Sequence, residues 1–162
     1  NFQAGVNPSS MIEADFNNDG IQDLAIANKD ENTVSIFIGN LKTENSYQPA
    51  KNYTVGNSPI SLQSKDFNHD ARPDLAVANS TDGTISILFG LGDGTFLPPK
   101  TFATNLAIQE MLAVDITGDN TIDLVLHGRK ADNLKDDLKR NYLTQLRIWD
   151  QHRPDRTSSK LQ

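Results

Sequence analysis

The chain has 162 residues, 36% of them hydrophobic, a formal net charge of −6 and no cysteine. That length suits a single domain with a core of its own. The missing cysteine excludes disulfide frameworks and thiolate metal centres, and no apolar run reaches the ~18 residues that a membrane-crossing helix needs.

The charge is unevenly placed. Residues 1–128 carry 16 acidic and 6 basic side chains, and residues 129–162 carry 5 and 9. The acidic part offers no basic face, so nucleic acid is not expected as a partner.

Taken in order, the chain repeats itself. A short extended run, 9–14, leads into Asp15-Phe-Asn-Asn-Asp-Gly-Ile-Gln-Asp23. An apolar run, Asp23-Leu-Ala-Ile-Ala-Asn28, follows, then Thr33-Val-Ser-Ile-Phe-Ile-Gly39 and a segment over 47–54. The second copy gives strands at 60–65, 74–79, 84–89 and 96–103, with Asp66-Phe-Asn-His-Asp-Ala-Arg-Pro-Asp74 as its loop. A third loop, Asp115-Ile-Thr-Gly-Asp-Asn-Thr-Ile-Asp123, leads into Asp123-Leu-Val-Leu-His127. The runs are short, β-branched and bounded by polar turns, which makes them strands, and the inner ones are apolar enough to be buried on both faces. Four short strands in a unit of about 50 residues predict a β-propeller blade. A β-sandwich also has short strands, but it does not require the fixed period. The expected fold is all-β: two full four-stranded blades and the opening of a third over residues 1–128.

The loops carry the chemistry. Each has carboxylates at its first, fifth and ninth positions and a side-chain oxygen at its third. Hard cations such as calcium take roughly six to eight oxygens at about 2.3–2.6 Å. Candidate ligands are Asp15, Asn17, Asp19 and Asp23 with the carbonyl of Ile21, then Asp66, Asn68, Asp70 and Asp74 with that of Arg72. The third set is Asp115, Thr117, Asp119 and Asp123 with the carbonyl of Thr121. Up to three Ca2+ ions are therefore expected. Polar turns also favour Asp, Asn and Gly for backbone reasons, but turn propensity fixes no carboxylate positions, and the loops recur in register at spacings of 51 and 49 residues. The helix-loop-helix calcium motif is rejected: it needs a Glu at position 12, where Ile26, Val77 and Leu126 stand. Ala71 replaces the first loop's Gly20, at a cost of about 1–2 kcal/mol if positive φ is needed there, and Thr117 is a weaker ligand than Asn. The expected order of affinity is first, second, third.

No catalytic motif accompanies the loops. His69, His127 and His152 lie in no arrangement with a nucleophile, and Gly90-x-Gly92-x-Gly94 lacks the strand–helix setting of a nucleotide loop. The chain is not expected to be an enzyme.

Asp-Phe-Asn-x-Asp-x-x-x-Asp-Leu-Ala-Val-Ala-Asn, followed by Thr84-Ile-Ser-Ile-Leu-Phe-Gly-Leu-Gly-Asp-Gly-Thr-Phe96, resembles the FG-GAP / VCBS repeats of integrin α subunits and many secreted proteins. The resemblance covers residues 2–128 and is best in the second copy. It implies a seven-bladed propeller, calcium at the loop positions named above, an extracellular or cell-surface setting, and adhesion or the binding of a protein or glycan ligand. An accessory or glycan-binding domain of a secreted enzyme acting on polysaccharide or lipid is the alternative. The pattern departs from the family at Ala71, at Thr117, in the 40–47 loop and after Leu126, where a second strand pair is not expected. No signal peptide is evident in this sequence, which reads as a fragment.

In the tail, 129–162, Leu134, Leu138, Tyr142, Leu146 and Trp149 form one helical stripe. A helix over 132–150 is expected, with disorder after Asp150. With only two full blades, open blade faces are expected to be covered by this tail, by further blades or by another copy.

Overall fold

The computed structural model describes residues 4–40, 46–130 and 142–147. Among them are thirteen strands and no helix, so the fold is all-β. In chain order they are β1 (Pro8–Ala14), β2 (Asp23–Asn28), β3 (Thr33–Phe37), β4 (Gly39–Asn40), β5 (Ser46–Tyr47), β6 (Lys51–Thr54), β7 (Pro59–Lys65), β8 (Asp74–Asn79), β9 (Thr84–Leu88), β10 (Lys100–Ala103), β11 (Leu106–Val114), β12 (Asp123–Lys130) and β13 (Tyr142–Arg147).

They form three antiparallel meanders. Blade 1 is β1-β2-β3-β6, blade 2 is β7-β8-β9-β10 and blade 3 is β11-β12-β13; β4 and β5 make a separate two-stranded ribbon. The strand periods expected over the first two copies are thus realised, with the fourth strand broken. In copy one, 47–54 divides into β5 and β6. In copy two, Phe96 makes only an isolated bridge to Gly90 before β10 begins at Lys100. The first strand of every blade has a register shift at the same place: Pro8/Ser10, Pro59/Ser61 and Ile108/Glu110. One bulge per blade at one repeat position is a designed bend.

The blades stack face to face, and alternation along each strand assigns side chains to a front, towards the preceding blade, or a back, towards the next. Between blades 1 and 2, the backs of Ala25, Ala27, Val34 and Ile36 meet the fronts of Leu62, Leu75, Val77 and Leu88. Between blades 2 and 3, Ala76, Ala78, Ile85 and Ile87 meet Met111, Leu124 and Leu126. Inner strand β8 is buried along its whole length. This explains why β8 is a continuous apolar run: a sheet covered on both faces has no polar side. Alanine on the back and a large aliphatic on the front let the sheets approach closely. Each buried Leu or Val contributes about 1.5–3 kcal/mol.

The tail departs from expectation. Residues 142–147 are not helical but form β13, paired with β12 from Asp123↔Arg147 to Gly128↔Tyr142. A third strand, in the place of β3 and β9, is therefore present in the third copy. The cause lies in tertiary structure: β12 would otherwise leave an edge of unpaired backbone groups, and β13 satisfies it. Tyr142-Leu-Thr-Gln-Leu-Arg147 fits a strand as readily as a helical stripe. The remainder of the expected helix, with Leu134, Leu138 and Trp149, and the disorder expected after Asp150 lie outside the described residues.

Candidate metal centre

Each Asp-rich loop joins the first strand of a blade to its second. The nine residues fold around their own carboxylates. In loop 1, Asp15 Oδ1 accepts the N–H of Asp19 at 3.1 Å and Oδ2 that of Gly20 at 2.8 Å. Asn17 Oδ1 also accepts from Asp19 N–H at 3.0 Å, its amide donates to Asp19 Oδ2 at 2.8 Å, and Ile21 N–H donates to Asp19 Oδ1 at 2.8 Å. Loop 2 repeats these bonds one for one through Asp66, Asn68, Asp70, Ala71 and Arg72.

The chain reaches this turn by two left-handed residues. The fourth and sixth positions are Asn18 (φ 58°) and Gly20 (φ 84°), then His69 (61°) and Ala71 (64°), then Gly118 (73°) and Asn120 (63°). Positive φ at Ala71 is therefore real, and its Cβ carries the expected penalty. The need for it at the fourth position was missed from the sequence; the signal was there in Asn18 and Gly118, two residue types that enter this region readily.

The ninth residue does something different from the others. Asp23 and Asp74 are fully buried. Asp23 Oδ2 accepts from Phe16 N–H at 2.8 Å and Oδ1 from Gly39 N–H at 2.8 Å. Asp74 takes Phe67 N–H at 2.9 Å and Gly90 N–H at 2.8 Å. One carboxylate thus ties the start of the loop to the end of the third strand, across the second. Gly39 and Gly90 must be glycine for this approach: a Cβ at Gly39 would lie 2.8 Å from the Gln22 carbonyl oxygen, and one at Gly90 would collide with that of Pro73. Burial pushes both carboxyls up, Asp74 to about 6. The N–H bonds oppose the shift, and the charges of Asp70 and Asp66, or of Asp19 and Asp15 for Asp23, add to it.

Loop 3 is built on the same plan with different contacts. Asp115 Oδ1 accepts Gly118 N–H at 2.7 Å and Oδ2 Asn120 N–H at 2.8 Å. Although desolvation pushes it up, N–H bonds from Asn120, Gly118, Asp119 and Thr117 hold the Asp115 carboxyl below the usual range. Thr121 N–H donates to Asp119 at 2.9 Å, and the Thr117 hydroxyl lies 3.5 Å from Asp123 Oδ2.

All fifteen candidate ligands thus fall in three turns. Asp15, Asp19 and Asp23 lie close enough for two charges to act on the third, and so do Asp66, Asp70 and Asp74. The donor set, three carboxylates and an amide or hydroxyl oxygen per loop, fits a hard cation. Among the described residues, however, no three carboxylate, imidazole or thiolate groups form a ready cage. The carboxylates face the loop's own N–H groups, though an oxygen accepting one such bond keeps a lone pair for a cation.

The second loop residue, unremarked in the sequence reading, plugs the next interface. Phe16 is 1% exposed and packs edge-on against Phe96, with ring centroids 5.3 Å apart; Phe67 does the corresponding work between blades 2 and 3. Half-buried Tyr53 and buried Phe96 pack against each other at the same interface. The Tyr53 ring lies 5.6 Å from that of Phe96, and its hydroxyl accepts Phe96 N–H at 3.0 Å.

The FG-GAP-like repeat matches the sequence twice, over residues 15–77 and 66–126. The chain belongs to the FG-GAP-like repeat family. Each matched FG-GAP-like segment starts on the first Asp of one loop and ends at the same position of the inner strand after the next, Val77 or Leu126. A comparison with curated proteins finds no match.

Proposed function

We propose that this FG-GAP-like chain is a calcium-binding propeller module of an extracellular adhesion or protein-interaction protein, without catalytic activity of its own. The observation that carries the reading is the threefold recurrence of one loop whose ninth carboxylate, Asp23, Asp74 or Asp123, is fully buried. Acidic side chains are almost never fully buried unless paired. Asp15, Asn17, Asp19 and Asp23 would hold an ion in loop 1, Asp66, Asn68, Asp70 and Asp74 in loop 2, and Asp115, Thr117, Asp119 and Asp123 in loop 3. Backbone carbonyls of Ile21, Arg72 and Thr121 complete the sets. A bound cation supplies positive charge that offsets three neighbouring carboxylates. The chain's own part is to fix the turn: the ninth carboxylate locks the loop onto the third strand, and the left-handed fourth and sixth residues aim the others. Calcium is structural here, and the ligand, a protein or a glycan, binds a surface elsewhere on the blades.

Thermal unfolding in millimolar calcium and in excess chelator tests this. A ligand that binds only the folded state at a hundredfold excess over Kd stabilises by about 2.7 kcal/mol per site. An upward shift with calcium, together with calorimetric uptake of two to three ions, is expected. A cooperative melt indifferent to calcium, with no heat of binding, reduces the loops to polar turns.

A further inference from the structure

Loop 1 is held by the neighbouring blade as well as by its own. Phe16, the second loop residue, has both backbone groups fixed. Its N–H donates to Asp23 Oδ2 at 2.8 Å within blade 1, and its carbonyl accepts the N–H of Gly94 at 3.0 Å from blade 2. Its ring lies edge-on to that of Phe96, two residues after Gly94. Gly94 belongs to the turn Leu91-Gly-Asp-Gly-Thr95. Leu91 N–H closes this turn onto the Thr95 carbonyl at 2.9 Å, and the Thr95 N–H and hydroxyl both donate to Asp93 Oδ1. The turn is seated closely on the loop. A Cβ at buried Gly94 would lie 2.5 Å from Ile38 Cδ1 and 3.5 Å from Asn17 Cβ, and one at Gly92 would lie 3.3 Å from Asn18 Nδ2. Both glycines have positive φ, 80° at Gly94 and 76° at Gly92. One turn of blade 2 thus covers the second, third and fourth residues of loop 1.

We propose that this turn of blade 2 is a positioning element of the loop 1 cation site and sets its affinity for a hard divalent cation. The proposal rests on the calcium reading of loop 1 and adds the neighbouring blade to that site. One peptide unit carries the effect. The Gly94 N–H fixes the plane of the Phe16–Asn17 peptide, and that plane aims the Asn17 side chain. Asn17 in turn grips Asp19, accepting its N–H at 3.0 Å and donating to its Oδ2 at 2.8 Å. Blade 2 therefore reaches the third and fifth loop positions through Gly94. Groups that orient metal ligands without touching the metal typically change its affinity by about 10–100-fold when removed. A loop already held in place also has less conformational freedom to lose on binding than one that must first be ordered. The Gly90-x-Gly92-x-Gly94 run, which is no nucleotide loop, has its use here: Gly90 donates to Asp74, and Gly92 and Gly94 supply the left-handed corners of the turn.

Calcium titration calorimetry of the full chain tests it, with the melt in chelator measured alongside. Gly94→Ala puts a methyl against Ile38 Cδ1, the far end of a flexible side chain, and the chain already carries one alanine at positive φ, Ala71. The variant therefore folds, with the turn lifted off loop 1. One calcium step is expected to weaken about tenfold and the others to stay as they are. The weakening is expected to persist in an Asp70→Ala background, which lacks the loop 2 ion, and to vanish in Asp19→Ala, which lacks that of loop 1. Asp93→Ala frees Thr95 and weakens the same step without adding a clash. Asp93→Asn keeps an acceptor for Thr95 and is expected to recover most of the affinity. A lowered melt in chelator with every calcium step unchanged, in both Gly94→Ala and Asp93→Ala, makes the turn a plain packing element and overturns the inference while the calcium reading stands. A weakening that persists in Asp19→Ala also overturns it, by placing the effect at another loop. A wild-type chain that takes up no calcium overturns the calcium reading, and this inference with it.

Discussion

Loop 2 and loop 3 are the same nine-residue device 49 residues apart, yet burial raises the last carboxyl of loop 2, Asp74, while backbone N–H bonds lower the first carboxyl of loop 3, Asp115. In loop 2, Asn68 both accepts from and donates to Asp70, and Asp74 is buried with N–H bonds from Phe67 and Gly90. In loop 3, Thr117 has no amide to bridge Asp119, and Gly118 N–H turns to Asp115 instead. The position matching Gly39 and Gly90, two residues beyond Leu146, is Ile148, which lies outside the described residues. Blade 2, which carries loop 2, packs against a described blade on each face; blade 3, which carries loop 3, packs against one among the described residues.

The largest way to break this comparison is Asp74→Ala. It leaves two buried N–H groups without an acceptor, each costing about 1–3 kcal/mol, less what is regained by no longer burying a charge. The expected loss is about 2–4 kcal/mol in urea unfolding; a loss under ~0.5 kcal/mol would show that the clamp is ornamental. Next come the loop centres. Asp19→Ala and Asp70→Ala should each remove one ion from a calorimetric titration and up to about 2.7 kcal/mol of calcium-dependent stability. Asp119→Ala should remove only the weakest step. Equal effects from all three would erase the distinction drawn here.

A smaller gain is expected from Ala71→Gly. It relieves the left-handed Cβ penalty of about 1–2 kcal/mol but frees the unfolded chain by about 0.5–1 kcal/mol. The net stabilisation is about 0.5–1 kcal/mol, or roughly 2–4 °C per kcal/mol in the melt. The same exchange at Asn120 should give less, since asparagine tolerates positive φ.

The pH dependence without calcium should be a small effect, its parts having opposite sign and falling in different windows. Asp23 and Asp74 have raised folded values, Asp74 about 6 against 3.8. Their contribution is fully present below about pH 4 and is lost as pH rises through each raised value, about 6 for Asp74. Asp93 and Asp115 are lowered, Asp93 by its bonds from the Thr95 hydroxyl and N–H and Asp115 by its four N–H donors. Their contribution is present above about pH 4 and lost as pH falls through the lowered values. Between pH 5 and 7 only the raised groups titrate, so the chelated protein is expected to lose stability as pH rises across 6. Asp74→Ala should make stability rise relative to wild type as pH increases across 6.

Much of this was legible in the residues. Carboxylates at fixed positions, repeated at one period, marked the loops, and β-branched runs between turns marked the blades, because both signals are local and recur. The burial of Asp23 and Asp74 was not legible: loop positions one, five and nine are all aspartate, and nothing in the chain marks the ninth as the one that also accepts from Gly39 or Gly90. Phe16 likewise reads as a spacer until the next blade arrives to cover it.

The sequence by itself determined the period, the strands of the first two blades and the three loops, since these follow from alternation, carboxylate placement, and the reach of a few residues. Tertiary structure alone decided the third strand of blade 3 and which aliphatic side chains of the described blades are covered. Tyr142–Arg147 satisfies both a helical and an extended pattern, and only the unpaired edge of β12 selects the strand. Whether Met11 or its counterpart Leu62 is buried depends on whether a blade stands in front of it, and that is a fact about neighbours, which no local stretch of chain contains.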